Sequence, residues 1–387
     1  MATHSLGGPM ARILVVDDEL DAPARRRLGN PGAAGAHQFL FVGDAGEAAR
    51  RWASDADFPL ALVAVGGRAG MEGFSRLRDT APGLALIALA PEGDLAAIRR
   101  AMNEGAVDFL TRPIDFEDLS RTVTRVLADL EERRRAREGA QELATIRKEL
   151  GIAEAIQQGI LPGRFQGRDD LDIFAQMTPA REMGGDFYDF FEIGAETLGF
   201  VVADVAGKGV PAAFFMAVAH TLMRAATSTG AAPGDCLARV NTLLCRESIP
   251  GILVSVFYSI LDTSTWELTY ANGGHPPPFM IDGESGEVRH LEGGEGVVLG
   301  VEEGAVFEQA SLTLFPGDTL FYYTDGLTEA FDPDRNQFTE ERLAAALREG
   351  RDLPAEALAV TVFSALDVFT YGAPQHDDIT SLVVKRL

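Results

Sequence analysis

One long proline-free stretch, from Asp115 to Leu161, constrains the fold of this chain most strongly. It is rich in Glu, Arg, Ala, Leu and Gln, which are good helix formers, and the sequence Leu161-Pro162-Gly163 ends it. The stretch therefore predicts one continuous helix. At 387 residues the chain is longer than a single hydrophobic core usually supports. We therefore expect a separate domain on each side of this helix.

The region before the helix alternates short apolar runs with amphipathic segments. The segment Asp94 to Asn103, for example, has helical spacing, and the strand-like runs are Ile13–Val16, Leu60–Val65, Leu84–Ala90 and Ala106–Leu110. Strands that alternate with helices predict a doubly wound α/β domain with a parallel sheet. We place this domain at residues 12–130 and expect any ligand at the carboxyl ends of its strands.

The region after the helix has a different pattern, in which groups of strands flank pairs of helices. Apolar residues alternate along the first of these strands at Leu171, Ile173, Ala175 and Met177. This order is typical of an α+β domain with largely antiparallel sheets. We place the second domain at residues 163–387, with residues 131–162 as a helical or coiled-coil linker.

Apolar residues recur along the linker at spacings of three and four: Leu143, Ile146, Leu150, Ala153, Gln157 and Ile160. Such a seam can pack against a second helix, which would make the chain a homodimer through its linker and first domain. Alternatively, the same face lies on the chain's own second domain. The pattern covers less than three heptads and contains a polar residue, so the sequence leaves both interpretations open.

The charge and the apolar content exclude several classes of partner. With 34 basic and 58 acidic residues, the net charge is −24, and this surplus repels nucleic acids and anionic membranes. The most apolar stretch, Val210 to Met223, is interrupted by Pro211 and His220 and is shorter than a membrane helix requires. Met1 to Arg12 lacks the apolar core of a signal peptide, and two cysteines form no disulfide framework. These features predict a cytoplasmic protein.

Three motifs of the first region resemble the receiver domain of two-component response regulators: Ile13-Leu-Val-Val-Asp17-Asp18-Glu19, Gly70-Met-Glu-Gly73, and Ala106 to Pro113. In that family a pair of acids binds Mg²⁺, an Asp accepts phosphate, and a Thr or Ser and a Lys complete the site. The resemblance implies a flavodoxin-like fold and places the acid pair at Asp17 and Asp18.

The residues that carry out receiver chemistry are replaced in this chain. The phosphate acceptor position falls on Val65, the Thr or Ser position on Ala90, and the Lys position on Arg112. Valine has no nucleophilic oxygen and cannot ligate Mg²⁺, so no aspartyl phosphate can form there. We expect a degenerate receiver that serves as a packing surface; Asp17 and Asp18 are either hydrated or hold a cation weakly.

Acidic residues follow or precede apolar strands at four places in the second region. These segments are Gly184-Gly-Asp186-Phe-Tyr-Asp189, Val201-Val-Ala-Asp204-Val-Ala-Gly207-Lys-Gly209, Phe321-Tyr-Tyr-Thr-Asp325-Gly-Leu-Thr-Glu329 and His376-Asp377-Asp378-Ile-Thr380. Carboxylates at strand ends beside glycine supply the oxygen ligands that Mg²⁺ or Mn²⁺ prefers. One such segment alone is usually a turn, but four together predict a metal centre.

The same motifs, with YANGGHPPPF between them, resemble the SpoIIE/RsbU branch of the PPM (type 2C) protein phosphatases over residues 150–387. That resemblance implies an antiparallel β-sandwich flanked by helices and two divalent cations, Mn²⁺ or Mg²⁺. It implies that Asp204 bridges both cations, that the Val205 carbonyl adds a ligand, and that Asp325, Asp377 and Asp186 complete the site. Asp204 and Asp325 are the residues we expect catalysis to depend on most.

The resemblance also implies a function. The expected activity is hydrolysis of phosphoserine or phosphothreonine on an anti-anti-sigma protein with a STAS domain, in bacterial partner switching. His275 and Lys208 are candidate proton donors to the leaving group, although a water could serve, and Asn272 to His275 could simply be a turn. Two alternatives are an inactive scaffold that binds regulators and a transcription regulator. Retention of all four acidic motifs disfavours the first, and the missing phosphate acceptor disfavours the second.

Overall fold

The computed structural model describes residues 10–30, 37–55, 57–165, 168–228, 230–246 and 253–387. The chain forms two compact units, Met1–Ala144 and Thr145–Leu387. The division falls inside a helix that begins in the first unit and ends in the second. The boundaries predicted near residues 130 and 163 remain a prediction.

The first unit is a five-stranded parallel sheet with helices in the connections. Its elements are β1 (Arg12–Val16), α1 (Ala22–Leu28), β2 (Gln38–Val42), α2 (Ala45–Ser54), β3 (Leu60–Ala64), α3 (Gly67–Thr80), β4 (Ala85–Pro91), α4 (Leu95–Asn103), β5 (Asp108–Arg112) and α5 (Phe116–Ile160). The strand order is β2-β1-β3-β4-β5, the flavodoxin-like order. All neighbouring strands run parallel, so the predicted fold class is confirmed.

Helix α5 confirms the predicted long helix almost to the residue. Its first turns bury Leu119, Val123 and Val126 in the core of the first unit. Near its other end, Gln157 is buried in the second unit. Between these ends, apolar side chains of the predicted seam such as Leu143 and Ile146 are exposed.

The second unit contains two antiparallel five-stranded sheets. Its elements are β6 (Leu171–Thr178), β7 (Phe187–Gly194), β8 (Thr197–Val205), α6 (Val210–Thr227), α7 (Pro233–Arg246), β9 (Val254–Asp262), β10 (Glu267–Gly273), β11 (Phe279–Ile281), β12 (Val288–His290), β13 (Ala310–Thr313), β14 (Thr319–Tyr323), α8 (Asp325–Thr328), α9 (Thr339–Glu349), α10 (Ala355–Thr370) and β15 (Ile379–Arg386). The sheet orders are β13-β10-β9-β8-β7 and β12-β11-β14-β15-β6.

The two sheets of the second unit pack face to face, with helices on both outer faces. Alternate residues of β8 and β14, such as Phe200 and Tyr322, fill the core between the sheets. The opposite face of the first sheet packs on α6 and α7, and that of the second sheet packs on α9 and α10. This arrangement confirms the predicted sandwich flanked by helices. At each end of the sandwich, side chains at the ends of strands from both sheets can meet.

Helix α6 corrects one detail of the sequence analysis. By length and composition it could span a membrane, and it is the one helix with that property in the part of the chain that the structure describes. Pro211 does not interrupt it, because this residue lies in the first turn, where a missing N–H is tolerated. Residues including Met216, Ala219 and Met223 are buried in the core of the second unit, so α6 packs as a core helix.

Candidate active site

Four acidic residues come from separate segments to one end of the sandwich. Asp186 immediately precedes β7, Asp204 is the next-to-last residue of β8, Asp325 follows β14, and Asp377 precedes β15. Asp204 shares the strand face of Phe200 and Val202, which point into the core between the sheets. In the pairing of β7 with β8, Phe187 lies opposite Ala203, so Asp186 lies next to Asp204.

Hydrogen bonds from the other sheet hold the carboxylate of Asp186. The hydroxyl groups of Thr324 and Thr380 each donate to Asp186 Oδ2, at 2.7 Å. Thr324 and Thr380 have no exposed surface, and Asp186 is 1% exposed. The backbone N–H of Thr380 also donates to the Thr324 hydroxyl oxygen, at 3.0 Å. This network joins one sheet to the other at the acidic end.

A second carboxylate shapes the loop that carries Asp186. Asp378 accepts hydrogen bonds from the backbone N–H of Ala180 at 2.8 Å and of Gly185 at 2.6 Å. A side chain at position 185 would collide with the carbonyl oxygen of Val205, 2.6 Å from its Cβ. The glycine is therefore required for the loop to approach β8 so closely. Asp378 and Gly185 together fix where Asp186 enters the site.

Burial and mutual repulsion perturb the acids of this site. Burial, with the charges of Asp325 and Asp377, raises the pKa of Asp204 to about 7. Burial, followed by the charge of Asp204, raises the pKa of Asp186 well above its usual value. The pKa of Asp325 is raised by burial and by the neighbouring Glu329 and Asp377. Burial is the largest cause of each pKa shift, and the charges of neighbouring carboxylates add to it, so these acids share a site that is shielded from solvent.

In the part of the chain that the structure describes, Lys208 forms an ion pair with one of these four acids; it lies in the loop between β8 and α6. Its ammonium lies 2.9 Å from Asp377 Oδ2 and also donates to the carbonyl oxygen of His376. Among the described residues, no three acidic, His or Cys side chains are arranged to hold a single ion. The donor atoms are nonetheless all oxygens with excess negative charge, which fits a hard divalent cation.

Family comparison agrees with this geometry. The sequence profile described as Stage II sporulation protein E (SpoIIE) matches residues 194–387, half of the chain. This chain belongs to the SpoIIE family. Its second unit is therefore a phosphatase domain of the PPM type, and the matched region contains Asp204, Asp325 and Asp377.

Two curated relatives of this SpoIIE-family chain each align with 62% of it. Protein IcfG of Synechocystis sp. (strain ATCC 27184 / PCC 6803 / Kazusa) is 31% identical over 268 residues, which is 62% of this chain and 42% of IcfG. The chain thus spans less than half of that relative. Phosphoserine phosphatase RsbU of Bacillus subtilis (strain 168) is 28% identical over 248 residues, 62% of this chain and 71% of RsbU.

A solved structure supports the same assignment. The SiaA-PP2C domain of Pseudomonas aeruginosa superposes with a TM-score of 0.56 at 26% identity, covering 63% of this chain and 98% of that domain. The likeness concerns the phosphatase domain, because the domain matched in SiaA is itself a PP2C domain.

The two candidate proton donors occupy different environments in the SpoIIE-family domain. His275 is 4% exposed, both of its ring nitrogens are hydrogen-bonded, and burial lowers its pKa to about 4. The side chain of Lys208 is 39% exposed and lies beside Asp377. The structure thus favours a structural role for His275 and leaves Lys208 at the site.

Asp189, adjacent to the site in sequence, serves the packing of α6. It is 2% exposed, and the guanidinium of Arg224 donates to both of its carboxylate oxygens. His220 Nε2 lies 2.9 Å from the same carboxylate, and the His220 ring packs edge-on against Phe187. These contacts attach α6 to β7, three residues after Asp186.

Sequence reasoning missed three residues that organise the site: Thr324, Thr380 and Gln157. Both threonines lie within the recognised motifs, next to Asp325 and two residues after Asp378. A threonine beside a predicted ligand was the only available sign of their role. Gln157 was assigned to a helix seam, yet its amide binds the backbone of Gly184, with Nε2 donating to the carbonyl at 2.6 Å.

In the degenerate receiver site of the first unit, Arg112 lies beside the acidic residues Asp17 and Glu19. Arg112 Nε lies 3.5 Å from Asp17 Oδ2, and Arg112 Nη1 donates to Glu19 Oε2 at 3.0 Å. Burial raises the pKa of Asp17, and the Arg112 charge opposes that rise. Val65, which follows the last residue of β3, is fully buried. The Arg112 guanidinium thus pairs with the acid that a receiver would use for Mg²⁺.

Proposed function

We propose that this chain is a metal-dependent protein serine/threonine phosphatase that acts on a phosphorylated regulatory partner. One observation carries the proposal: four strand-end carboxylates meet at one end of the sandwich, with Asp186 held by threonines of the opposite sheet. A cluster of carboxylates in which Asp186, Asp204 and Asp325 have raised pKa values, with one ammonium beside it, attracts divalent cations rather than substrate anions. Membership in the SpoIIE family supports phosphoester hydrolysis as the reaction of this cluster.

The proposed ligands are Asp186, Asp204, the carbonyl oxygen of Val205, Asp325 and Asp377. When bound, two Mn²⁺ or Mg²⁺ ions supply an activated water at neutral pH and neutralise the phosphoryl oxygens. Overall, hydrolysis would consume one water molecule and would release the serine or threonine hydroxyl and inorganic phosphate. No phosphorylated form of the enzyme is required.

The remaining residues of the site orient the proposed metal ligands and attract the anionic substrate. Thr324 and Thr380 both donate to Oδ2 of Asp186 and so fix the orientation of its carboxylate, and neither of them bonds to Oδ1. Lys208 pairs with Asp377, and its partly exposed ammonium can contact an anionic phosphoester at this site. Because its side chain is partly exposed, Lys208 can also give a proton to the leaving alkoxide.

The substrate class is proposed from the relatives. RsbU is named a phosphoserine phosphatase, and a phosphorylated anti-anti-sigma protein with a STAS domain fits that activity in partner switching. The acidic surface, at −24, is consistent with a protein substrate in the cytoplasm and not with nucleic acid or an anionic membrane. The exposed Leu143 and Ile146 of α5 support a homodimer through this helix.

Hydrolysis of p-nitrophenyl phosphate and of a phosphoserine protein tests the proposal. We expect Mn²⁺-dependent turnover by the wild type, and a loss of at least about a hundredfold in Asp204→Asn and Asp325→Asn, because each removes a charged ligand. Asp352→Asn is the matched control, since this aspartate is 91% exposed and distant in sequence from the motifs. No turnover by the wild type would instead favour the scaffold, and undiminished turnover in both variants would remove the enzyme proposal.

A further inference from the structure

The imidazole of His275 connects the two sheets at the acidic end of the sandwich. His275 lies just after β10, and its Nδ1 is 2.8 Å from the hydroxyl of Ser255 in β9. Its Nε2 is 3.1 Å from the carbonyl oxygen of Tyr323, the last residue of β14. Since β9 and β14 belong to different sheets, one side chain spans the interface between them.

The partners of the ring determine its proton. A carbonyl oxygen can only accept, so Nε2 carries the hydrogen and donates to Tyr323, while Nδ1 accepts from the Ser255 hydroxyl. Burial keeps this histidine neutral at pH 7, with its pKa lowered to about 4. Both ring nitrogens are therefore hydrogen-bonded, and the neutral ring holds its two partners in place.

Both ring partners lie next to proposed metal ligands. In the register of β8 with β9, Ser255 is directly opposite Asp204. Tyr323 precedes Asp325 by two residues, at the point where β14 ends. A shift of the imidazole would therefore be transmitted to the strands that carry Asp204 and Asp325.

The backbone of His275 is itself held firmly. Asn272 Nδ2 donates to the His275 carbonyl at 2.8 Å, and the His275 N–H donates to Asn272 Oδ1 at 2.7 Å. Asn272 belongs to β10, which pairs with β9. The turn between Asn272 and His275 thus anchors the ring to the first sheet before it reaches the second.

We propose that His275 is a positioning residue, which sets the separation of Asp204 and Asp325 so that both can bind the same pair of cations. The inference rests on the proposed metal-dependent function and deepens it. It gives the Asn272-to-His275 turn a purpose beyond linking strands. Residues that orient metal ligands typically change metal affinity or activity about 10–100-fold when they are replaced.

The sandwich contains a matched control for this connection. The hydroxyl of Ser259 in β9 is 2.8 Å from the hydroxyl of Tyr322 in β14, and both residues are buried. This hydrogen bond also joins the two sheets, but it lies four residues further along β9 from Ser255. Loss of the Ser259 hydroxyl removes a comparable inter-sheet bond without affecting the strand ends that carry the acids.

The test compares full-length wild type with His275→Ala, His275→Gln, Ser255→Ala and Ser259→Ala. Mn²⁺ affinity is measured by isothermal titration calorimetry, and kcat and KM are measured with p-nitrophenyl phosphate. We expect His275→Ala to weaken Mn²⁺ binding about 10–100-fold and to lower kcat. Ser255→Ala should act in the same direction, and His275→Gln, whose amide can still donate to Tyr323, should recover part of the loss. Ser259→Ala should leave Mn²⁺ affinity unchanged.

Several outcomes would overturn the inference: unchanged Mn²⁺ affinity in folded His275→Ala and Ser255→Ala, an equal loss in Ser259→Ala, or no Mn²⁺ binding by the wild type. If His275→Ala does not fold, Ser255→Ala decides, because it removes one hydroxyl and little volume. If the wild type binds Mn²⁺ but hydrolyses no phosphoester, the proposed function fails, and the relative Mn²⁺ affinities still decide the role of His275.

Discussion

At the scale of single residues, the site depends on carboxylates with different tasks. Asp186 and Asp204 are proposed to face the cations, whereas Asp378 faces the protein and accepts two backbone N–H groups. The chain thus places adjacent acids, Asp377 and Asp378, in opposite roles. Charge alone does not distinguish these roles; the hydrogen-bond partners do.

Asp378 yields a prediction at this scale. Asp378→Ala leaves the N–H groups of Ala180 and Gly185 without their acceptors, and each buried unpaired donor costs about 1–3 kcal/mol. We expect the free energy of unfolding to fall by about 2–4 kcal/mol and Mn²⁺-dependent turnover to fall with it. Asp378→Asn keeps one acceptor oxygen and should lose less. Urea denaturation measures the difference, and equal unfolding free energies for wild type and Asp378→Ala would contradict it.

At the scale of elements, the end of α5 is part of the phosphatase domain. The amide of Gln157 is buried and exchanges two hydrogen bonds with the backbone of Gly184, two residues before Asp186. The helix that leaves the first unit therefore ends in direct contact with the loop that carries a proposed ligand. We expect a displacement of this last turn to act on the loop at Gly184, two residues before Asp186.

Gln157→Ala tests this contact. Removing the amide leaves both polar groups of Gly184 unpaired, so we expect a loss of about 1–3 kcal/mol in unfolding free energy, together with lower turnover. The neighbouring Gln158 is exposed and donates to Glu154 on the same helix, so Gln158→Ala is the matched control. Denaturation and p-nitrophenyl phosphate hydrolysis are measured on both variants. Equal behaviour of the two would show that the Gly184 contact has no such effect.

At the scale of the whole molecule, the two units differ in what chemistry they retain. The first has the strand order of a receiver, but Val65 and Arg112 stand where an acceptor and a lysine are needed. The second keeps all four acidic segments at one end of its sandwich. We therefore expect catalysis in the second unit, and a role in binding other molecules for the surface of the first.

Incubation with acetyl phosphate tests this division. We expect no phosphate adduct on residues of the first unit, because Val65 has no nucleophilic oxygen. Intact-mass and peptide mass spectrometry detect an adduct, and a functional receiver domain labelled in parallel is the positive control. A covalent phosphate on the first unit would show that another side chain replaces the missing acceptor.

The sequence was sufficient to predict the fold class of both units and the acids that meet in the second. Strand periodicity and motif order are local signals, so the sequence alone shows where an apolar strand is followed by an aspartate. The contacts that orient those acids were not predictable, since Thr324 and Thr380 lie 138 and 194 residues from Asp186. Helical spacing left Gln157 facing either a second helix or the chain's own second domain. The structure places it in the second domain, where it contacts Gly184, and the spacing could not show which backbone lies opposite this side chain.

The pairing of Arg112 with Asp17 has a consequence for how the chain receives information. Because Arg112 belongs to the chain, its positive charge stays near Asp17 whatever the supply of magnesium or of phosphoryl donors in the cell. We expect the first unit to lack the phosphorylated state of a receiver. We therefore expect a signal that reaches the enzyme through this unit to be a molecule that binds reversibly, so that its concentration sets the fraction of the protein that is occupied.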